Sequence, residues 1–194
     1  MPRDVSAYVI DGVRAPSVTE ILRIEGLADF RFVDPEVLAF AAERGSLLHE
    51  WLSLVNDGHI SRDDEAPEEI AGYVAGYWKF LDATGFKARS WERVVKNAPL
   101  RYCGTYDLLG ELPSGSTLVD LKTSAQLYHW VPLQTCGYAM ALDPRPARAA
   151  LRLLRDGTYR FERFTDRQNE HDWISACRMA HYKLRHGIAR LEDY

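Results

Sequence analysis

The run Leu118-Val119-Asp120-Leu121-Lys122-Thr123 sets a carboxylate and an ammonium two residues apart in an otherwise apolar stretch. On a strand, positions two apart share a face, so Asp120 and Lys122 project together while Val119 and Leu121 are free to bury. Two charges on a central strand are costly to desolvate unless each finds a partner. One predicted strand earlier, Asp107 shares a face with Thr105, beneath Gly104. Pairing of the two strands through a turn at 113–116 would bring Asp107 and Asp120 to one point. Two aspartates and a lysine there make a divalent-cation site: hard carboxylate oxygens hold Mg²⁺ or Mn²⁺, and the lysine positions or deprotonates a water. The same residues also describe a buried Asp–Lys salt bridge with Asp107 as a turn residue, and D-x-K alone does not separate the two.

Two further features bear on the choice. His49 falls on the apolar stripe of a predicted helix, one turn after Gly45, whose missing side chain leaves room beside it. It reads either as a hydrogen-bonded core histidine or as a third ligand, imidazole being a good partner for Mn²⁺. Gln134 and Tyr138 lie four apart on the predicted helix after the D-x-K strand, with Trp130 on the same stripe. They form either a packing face or a polar pair overhanging the site.

Periodicity and punctuation supply the elements that must position these groups. Residues 8–13 read as a short strand entering a turn. Ser17-Val18-Thr19-Glu20 fits a capping box, opening a helix to about residue 25. Asp34-Pro35 starts a second helix reaching Gly58, with Leu38, Ala42, Gly45, Leu48, Leu52 and Val55 on one face. A third helix is expected over 67–84, stopped by Gly85. The period then changes to that of strands over 91–95, 102–109 and 117–123. A helix over 130–142 ends at Asp143-Pro144. Strands over 149–155 and 159–164 flank the hairpin signal Asp156-Gly157, and a last helix runs from 166 or 167 to about 186. This order predicts an α/β sandwich with a mixed sheet in a single domain spanning residues 1–194.

Composition removes other classes. The 194 residues are 46% hydrophobic and 27% charged, with no apolar run near the ~18–20 residues needed to cross a bilayer. Met1-Pro2-Arg3-Asp4 does not lead into a signal-peptide core. Three scattered cysteines, Cys103, Cys136 and Cys177, make neither a disulfide framework nor a zinc site. A cytoplasmic protein without membrane contact is expected. The net charge is −4, so nucleic-acid binding would need a local basic surface. Seven arginines from Arg145 to Arg167 and the last helix are the candidates, a solvated hairpin surface being the plain alternative. His49-Glu50-Trp51-Leu52-Ser53 lacks the second histidine of a zinc protease, and neither a phosphate-cradling loop nor a serine-nucleophile elbow is found. His181 and His186, five apart, are poorly spaced to share one metal.

In order, Arg44-Gly45-Ser46-Leu47-Leu48-His49-Glu50, Gly104-Thr105-Tyr106-Asp107, Val119-Asp120-Leu121-Lys122-Thr123 and Gln134-Thr135-Cys136-Gly137-Tyr138 resemble the motifs of the PD-(D/E)XK nuclease superfamily. The histidine and the Gln-x-x-x-Tyr narrow the likeness to its RecB-type exonuclease branch. The stretch Ala15-Pro16-Ser17-Val18-Thr19-Glu20-Ile21-Leu22 resembles an N-terminal helix of phage and mitochondrial members. The resemblance implies a restriction-endonuclease-like core, a central mixed sheet of about five strands flanked by helices. It implies His49, Asp107, Asp120 and the main-chain carbonyl of Leu121 as ligands of one or two Mg²⁺ or Mn²⁺ ions. Asp107, Asp120 and Lys122 would be catalytic, with Lys122 orienting the attacking water. Gln134, Tyr138, Ser17 and Thr19 would contact substrate, and Glu92 matches an acidic position as an accessory acid. The implied activity is phosphodiester hydrolysis in DNA, as an exonuclease of recombination, repair or phage replication, leaving a 5′-phosphate and a 3′-hydroxyl. DNA, single-stranded or end-bearing duplex, is the implied partner, with a recombination or single-strand-binding protein beside it. Some relatives carry an iron–sulfur cluster on four cysteines; three scattered ones predict none here. The competing expectation is a nuclease-fold protein that binds DNA or a partner without turnover.

Overall fold

Turn chemistry and alternation build a five-stranded sheet around which the helices pack. The computed structural model describes residues 5–31 and 33–193, so the opening residues 1–4 lie outside it. The first strand signal resolves into a hairpin, β1 (Val9–Ile10) and β2 (Val13–Arg14). Asp11 and Gly12 between them both take positive φ (51° and 75°), the twist that two-residue hairpin loops favour. Helix α1 (Val18–Ile24) opens on the expected capping box: Ser17 Oγ accepts the Glu20 amide at 3.0 Å and Glu20 Oε2 accepts the Ser17 amide at 2.6 Å. Such a cap is worth about 1 kcal/mol. Helix α2 (Pro35–Asn56) is capped by Asp34 with proline at its first turn. Helix α3 (Ala71–Thr84) ends at Gly85 in the left-handed region. It starts four residues later than its sequence suggests, because 68–70 form a turn.

Strands β3 (Lys87–Asn97), β4 (Tyr102–Leu112) and β5 (Gly115–Lys122) form an antiparallel meander. Helix α4 (Val131–Ala139) then crosses over so that β6 (Ala147–Leu153) runs parallel to β5, as parallel neighbours require. Strand β7 (Tyr159–Phe164) returns antiparallel along β6, and α5 (Gln168–Arg185) closes the chain. Strand order follows the sequence from β3 to β7. The protein is thus α/β, with a five-stranded mixed central sheet flanked by helices. Among the described residues no helix is long and apolar enough to cross a membrane.

Two larger cores lie against the sheet, beside a small cluster of Tyr8, Ile10, Ala15 and Cys103. One joins Val18, Ile21 and Leu22 of α1, Val131 and Tyr138 of α4 and Trp173 of α5 to Leu118 and Ala150. The other joins Leu48 and Leu52 of α2 and Tyr77 and Phe80 of α3 to Val119, Leu121 and Leu151. Strand β4 contributes to both, and its facing changes along its length. Tyr102 and Tyr106 belong to the α1/α4/α5 side, whereas Leu108 and Leu112, of the same parity, belong to the α2/α3 side. The exchange falls at Asp107. Opposite it, between the pairs Trp91↔Leu108 and Arg93↔Tyr106, stands Glu92 with φ of 47°. Glycines let α4 approach the sheet closely. A Cβ on Gly104 would lie 2.6 Å from the Tyr138 ring, and one on Gly137 would lie 2.7 Å from Trp173.

Helix α2 departs from the expected buried stripe. Only Leu48 and Leu52 are buried, and residues 35–40 are all exposed, Val37 and Phe40 by 61% and 59%. The periodicity is real, but the stripe meets the protein only over its C-terminal half.

Candidate metal centre

The C-terminal half of α2, anchored by Leu48 and Leu52, carries His49 to the sheet at the point where β4 changes face. There the Nδ1 of His49 lies 2.7 Å from Glu92 Oε1 and 3.8 Å from Asp107 Oδ1. One ligand atom from each of the three residues falls within 4.8 Å of the others. Imidazole and carboxylates are a donor set suited to Mn²⁺ or Mg²⁺. At 2.7 Å the imidazole N–H donates to the carboxylate. Since ligands must be deprotonated, a cation bound through these two atoms would displace that proton.

Asp107 has a second attachment. Its Oδ2 accepts the amide of Leu121 at 2.7 Å, just beyond the last Leu108↔Val119 pair of the ladder. The carboxylate therefore bridges β4 and β5 where their regular pairing stops, and it is nearly fully buried. Continued by one residue, that register sets Asp107 opposite Asp120. Asp120 is 1% exposed, and its Oδ2 lies 2.5 Å from Lys122 Nζ. The lysine in turn sits 5.6 Å from the centre of the Trp130 ring.

The residues singled out in the sequence thus fall into subsets. His49, Glu92 and Asp107 converge; Asp120 is engaged by Lys122 and stands outside that group of three. The structure sets the amide of Leu121 against Asp107. Gln134 Nε2 donates to Tyr138 Oη at 3.2 Å, both side chains being buried against the sheet. The Gln134 Oε1 is also buried and has no partner among the described residues. The hydroxyl of Ser17 is engaged as the α1 cap, and Thr19 is half-buried on the same helix. Neither forms a hydrogen bond to His49, Asp107 or Lys122 among the described residues.

Glu92 is the residue whose part the sequence understated. Strand parity cannot place it, because its left-handed backbone breaks the alternation that such a reading relies on. Its type, an acid one strand before Asp107, was the available signal.

Several arginines of the 145–167 segment are engaged within the protein. Arg148 bonds the Pro132 and Asp166 carbonyls, Arg152 the Ala125 carbonyl, Arg163 the Ser114 hydroxyl, and Arg145 pairs with Glu170. Arg145, Arg155, Arg160, Arg163 and Arg167 are exposed. On the last helix, Lys183 is tied to Glu25 at 3.1 Å and His181 to the Leu100 carbonyl at 2.9 Å. The cysteines are not reactive groups. Burial pushes all three thiols up, Cys136 to about 11, so they stay protonated and weakly nucleophilic near neutrality.

No protein family matches this chain, and no curated protein aligns with it significantly.

Proposed function

We propose that this protein is a metal-dependent deoxyribonuclease built on a restriction-endonuclease-like core, acting as an exonuclease on DNA ends or single strands. The observation that carries the reading is the meeting of His49, Glu92 and Asp107 beside the Asp120–Lys122 pair. The topology supports it as well. An antiparallel meander followed by a helical crossover to a parallel strand sets Asp107 on β4 and Asp120 and Lys122 on β5, two neighbouring interior strands of the sheet. The motif order noted in the sequence, from His49 through Asp107 and the D-x-K run to Gln134 and Tyr138, maps onto α2, β4, β5 and α4 in turn.

His49, Glu92 and Asp107 would hold Mg²⁺ or Mn²⁺, with Asp120, opposite Asp107, as a further carboxylate. When bound, the cation supplies charge neutralisation at the reacting phosphoryl group and lowers the pKa of a coordinated water. The chain's own groups do the rest. Lys122 points its ammonium at the same space as Asp120 and stabilises negative charge developing on the phosphate oxygens. The buried Asp107–Leu121 contact fixes the carboxylate, so its position costs no reorganisation during the reaction. Gln134 and Tyr138 brace α4 against β4 and wall the site on that side.

Digestion of end-labelled single- and double-stranded DNA, with Mg²⁺, with Mn²⁺ and with chelator, tests this. Products bearing 5′-phosphate that appear only with added metal are the expected result. Binding without metal-dependent cleavage would instead favour a nuclease-fold binding protein.

A further inference from the structure

The β5 strand runs from Lys122 into an irregular connection, 123–130, that carries Tyr128 and Trp130. Their rings are parallel within 8° at 5.8 Å between centres. Phe30, from the connection between α1 and α2, meets both edge-on at 6.1 and 6.2 Å. Three aromatic rings from two separate connections therefore touch one another next to the lysine of the charged site, whose ammonium is 5.6 Å from the Trp130 ring. The connection is tied down rather than loose: Arg152, paired with Lys122 across β5–β6, donates to the Ala125 carbonyl, and Ser124 Oγ donates to the Gln126 carbonyl. Trp130 forms the inner wall and is 8% exposed, whereas Tyr128 and Phe30 are half-buried and reach the surface. The Tyr128 hydroxyl makes no hydrogen bond among the described residues, so the ring is not held there by a polar anchor.

We infer that Tyr128, backed by Trp130 and flanked by Phe30, is a stacking platform for an unpaired nucleobase next to the phosphate held at Lys122. The inference rests on the nuclease reading and narrows its substrate. A phosphate at the lysine carries its own base, or the neighbouring one, to this stack. Base-on-ring stacking is tolerant of sequence because every base has a π-face. In a duplex those faces are covered by neighbouring pairs, so the platform selects a single strand or a frayed end. Aliphatic packing would fill the same volume but offer no parallel face, and that difference makes the idea testable.

The probe is a single-stranded oligonucleotide containing 2-aminopurine, whose fluorescence falls on stacking, bound to a cleavage-deficient Asp120→Asn protein. Adding Tyr128→Phe should keep both the quench and the affinity. Adding Tyr128→Leu should abolish the quench and weaken single-strand binding by roughly 10–100-fold, the range for losing one base–aromatic stack. Duplex binding should be unchanged. Should Tyr128→Leu lower the melting temperature, Tyr128→Met, which fills more of the ring's volume without a π-face, gives the same reading at the same position. An unaltered quench with these aliphatic variants, or an equal loss for duplex and single strand, overturns the platform. Cleavage of single strands by the parent with no dependence on Tyr128 overturns the platform alone. Absence of any DNA binding by the parent overturns the nuclease reading with it.

Discussion

The His49–Glu92–Asp107 group draws on α2, β3 and β4 and the Asp120–Lys122 pair sits on the neighbouring β5, yet their charge is settled in different ways. The first gathers two carboxylates on one imidazole, an arrangement that gains from an added cation. In the second, a carboxylate and an ammonium at 2.5 Å already neutralise each other inside the protein. Their anchoring differs too. Asp107 is fixed by a backbone amide from the next strand, whereas Asp120 is fixed by a side chain two residues away. A group held by backbone keeps its position when its charge partner changes; a group held by a flexible lysine is free to change partners. The first region is thus suited to be a standing receptacle, and the second to be a pair that reorganises when phosphate or metal arrives.

The comparison is broken most sharply at Asp107. Asp107→Asn, which keeps an acceptor for the Leu121 amide, should lower kcat/KM on labelled DNA by on the order of 10⁴-fold or more, because a cation's charge stabilisation is worth several kcal/mol. Its melting temperature should stay near the parent's, and full activity in this variant would remove the receptacle.

Lys122→Met tests the second region. Without metal it removes the ammonium beside a buried carboxylate, which should lower stability by up to ~3–5 kcal/mol. Turnover should fall by roughly 10²–10³-fold, the usual loss for a charge-stabilising donor. Denaturant unfolding with and without Mn²⁺, beside the cleavage assay, separates the two effects: restoration of stability by Mn²⁺ without activity shows that the pair changes partners. Unchanged stability in the metal-free variant would contradict the self-neutralised pair.

Metal linkage sharpens the contrast further. Mn²⁺ at one hundred times its Kd should stabilise the parent by ~2.7 kcal/mol, read as a rise in melting temperature. Glu92→Gln should reduce that rise strongly, while Lys122→Met should keep it. The smallest effect is expected at His49. His49→Ala should lower activity only about tenfold with Mg²⁺, an ion that prefers oxygen, and by more with Mn²⁺. Equal losses with both metals would argue that His49 serves only to position Glu92.

Much of the framework is written locally in the chain. The capping box at Ser17, the turn at Asp156-Gly157 and the alternation around Asp120 each depend on residues a few positions apart, and each appears in the structure where periodicity sets it. The extent of β3 is not legible in this way. Over Lys87–Asn97 charged residues interrupt the apolar pattern on a strand paired on one side only, so alternation marks just its middle. Nor does the stripe on α2 reveal that Leu38 and Ala42 are left exposed: periodicity specifies a face, not how much of it is covered. The same holds at the site. The convergence of Asp107 with His49 follows from residue type and order, but the place of Glu92 depends on one backbone torsion that no neighbouring residue announces.

That torsion has a consequence for how the protein can change over generations. Among the described residues, Glu92 is the only non-glycine residue inside a strand with a positive φ. A side chain there costs about 1–2 kcal/mol relative to an ordinary conformation. Glu92→Gly should relieve that strain and offset part or all of it through added chain entropy, leaving a protein at least about as resistant to urea but poorer in metal binding. Selection for robustness alone would favour glycine at this position, whereas selection for turnover would retain glutamate. On the proposed nuclease reading, the site holds a standing stability–activity trade-off at a single codon.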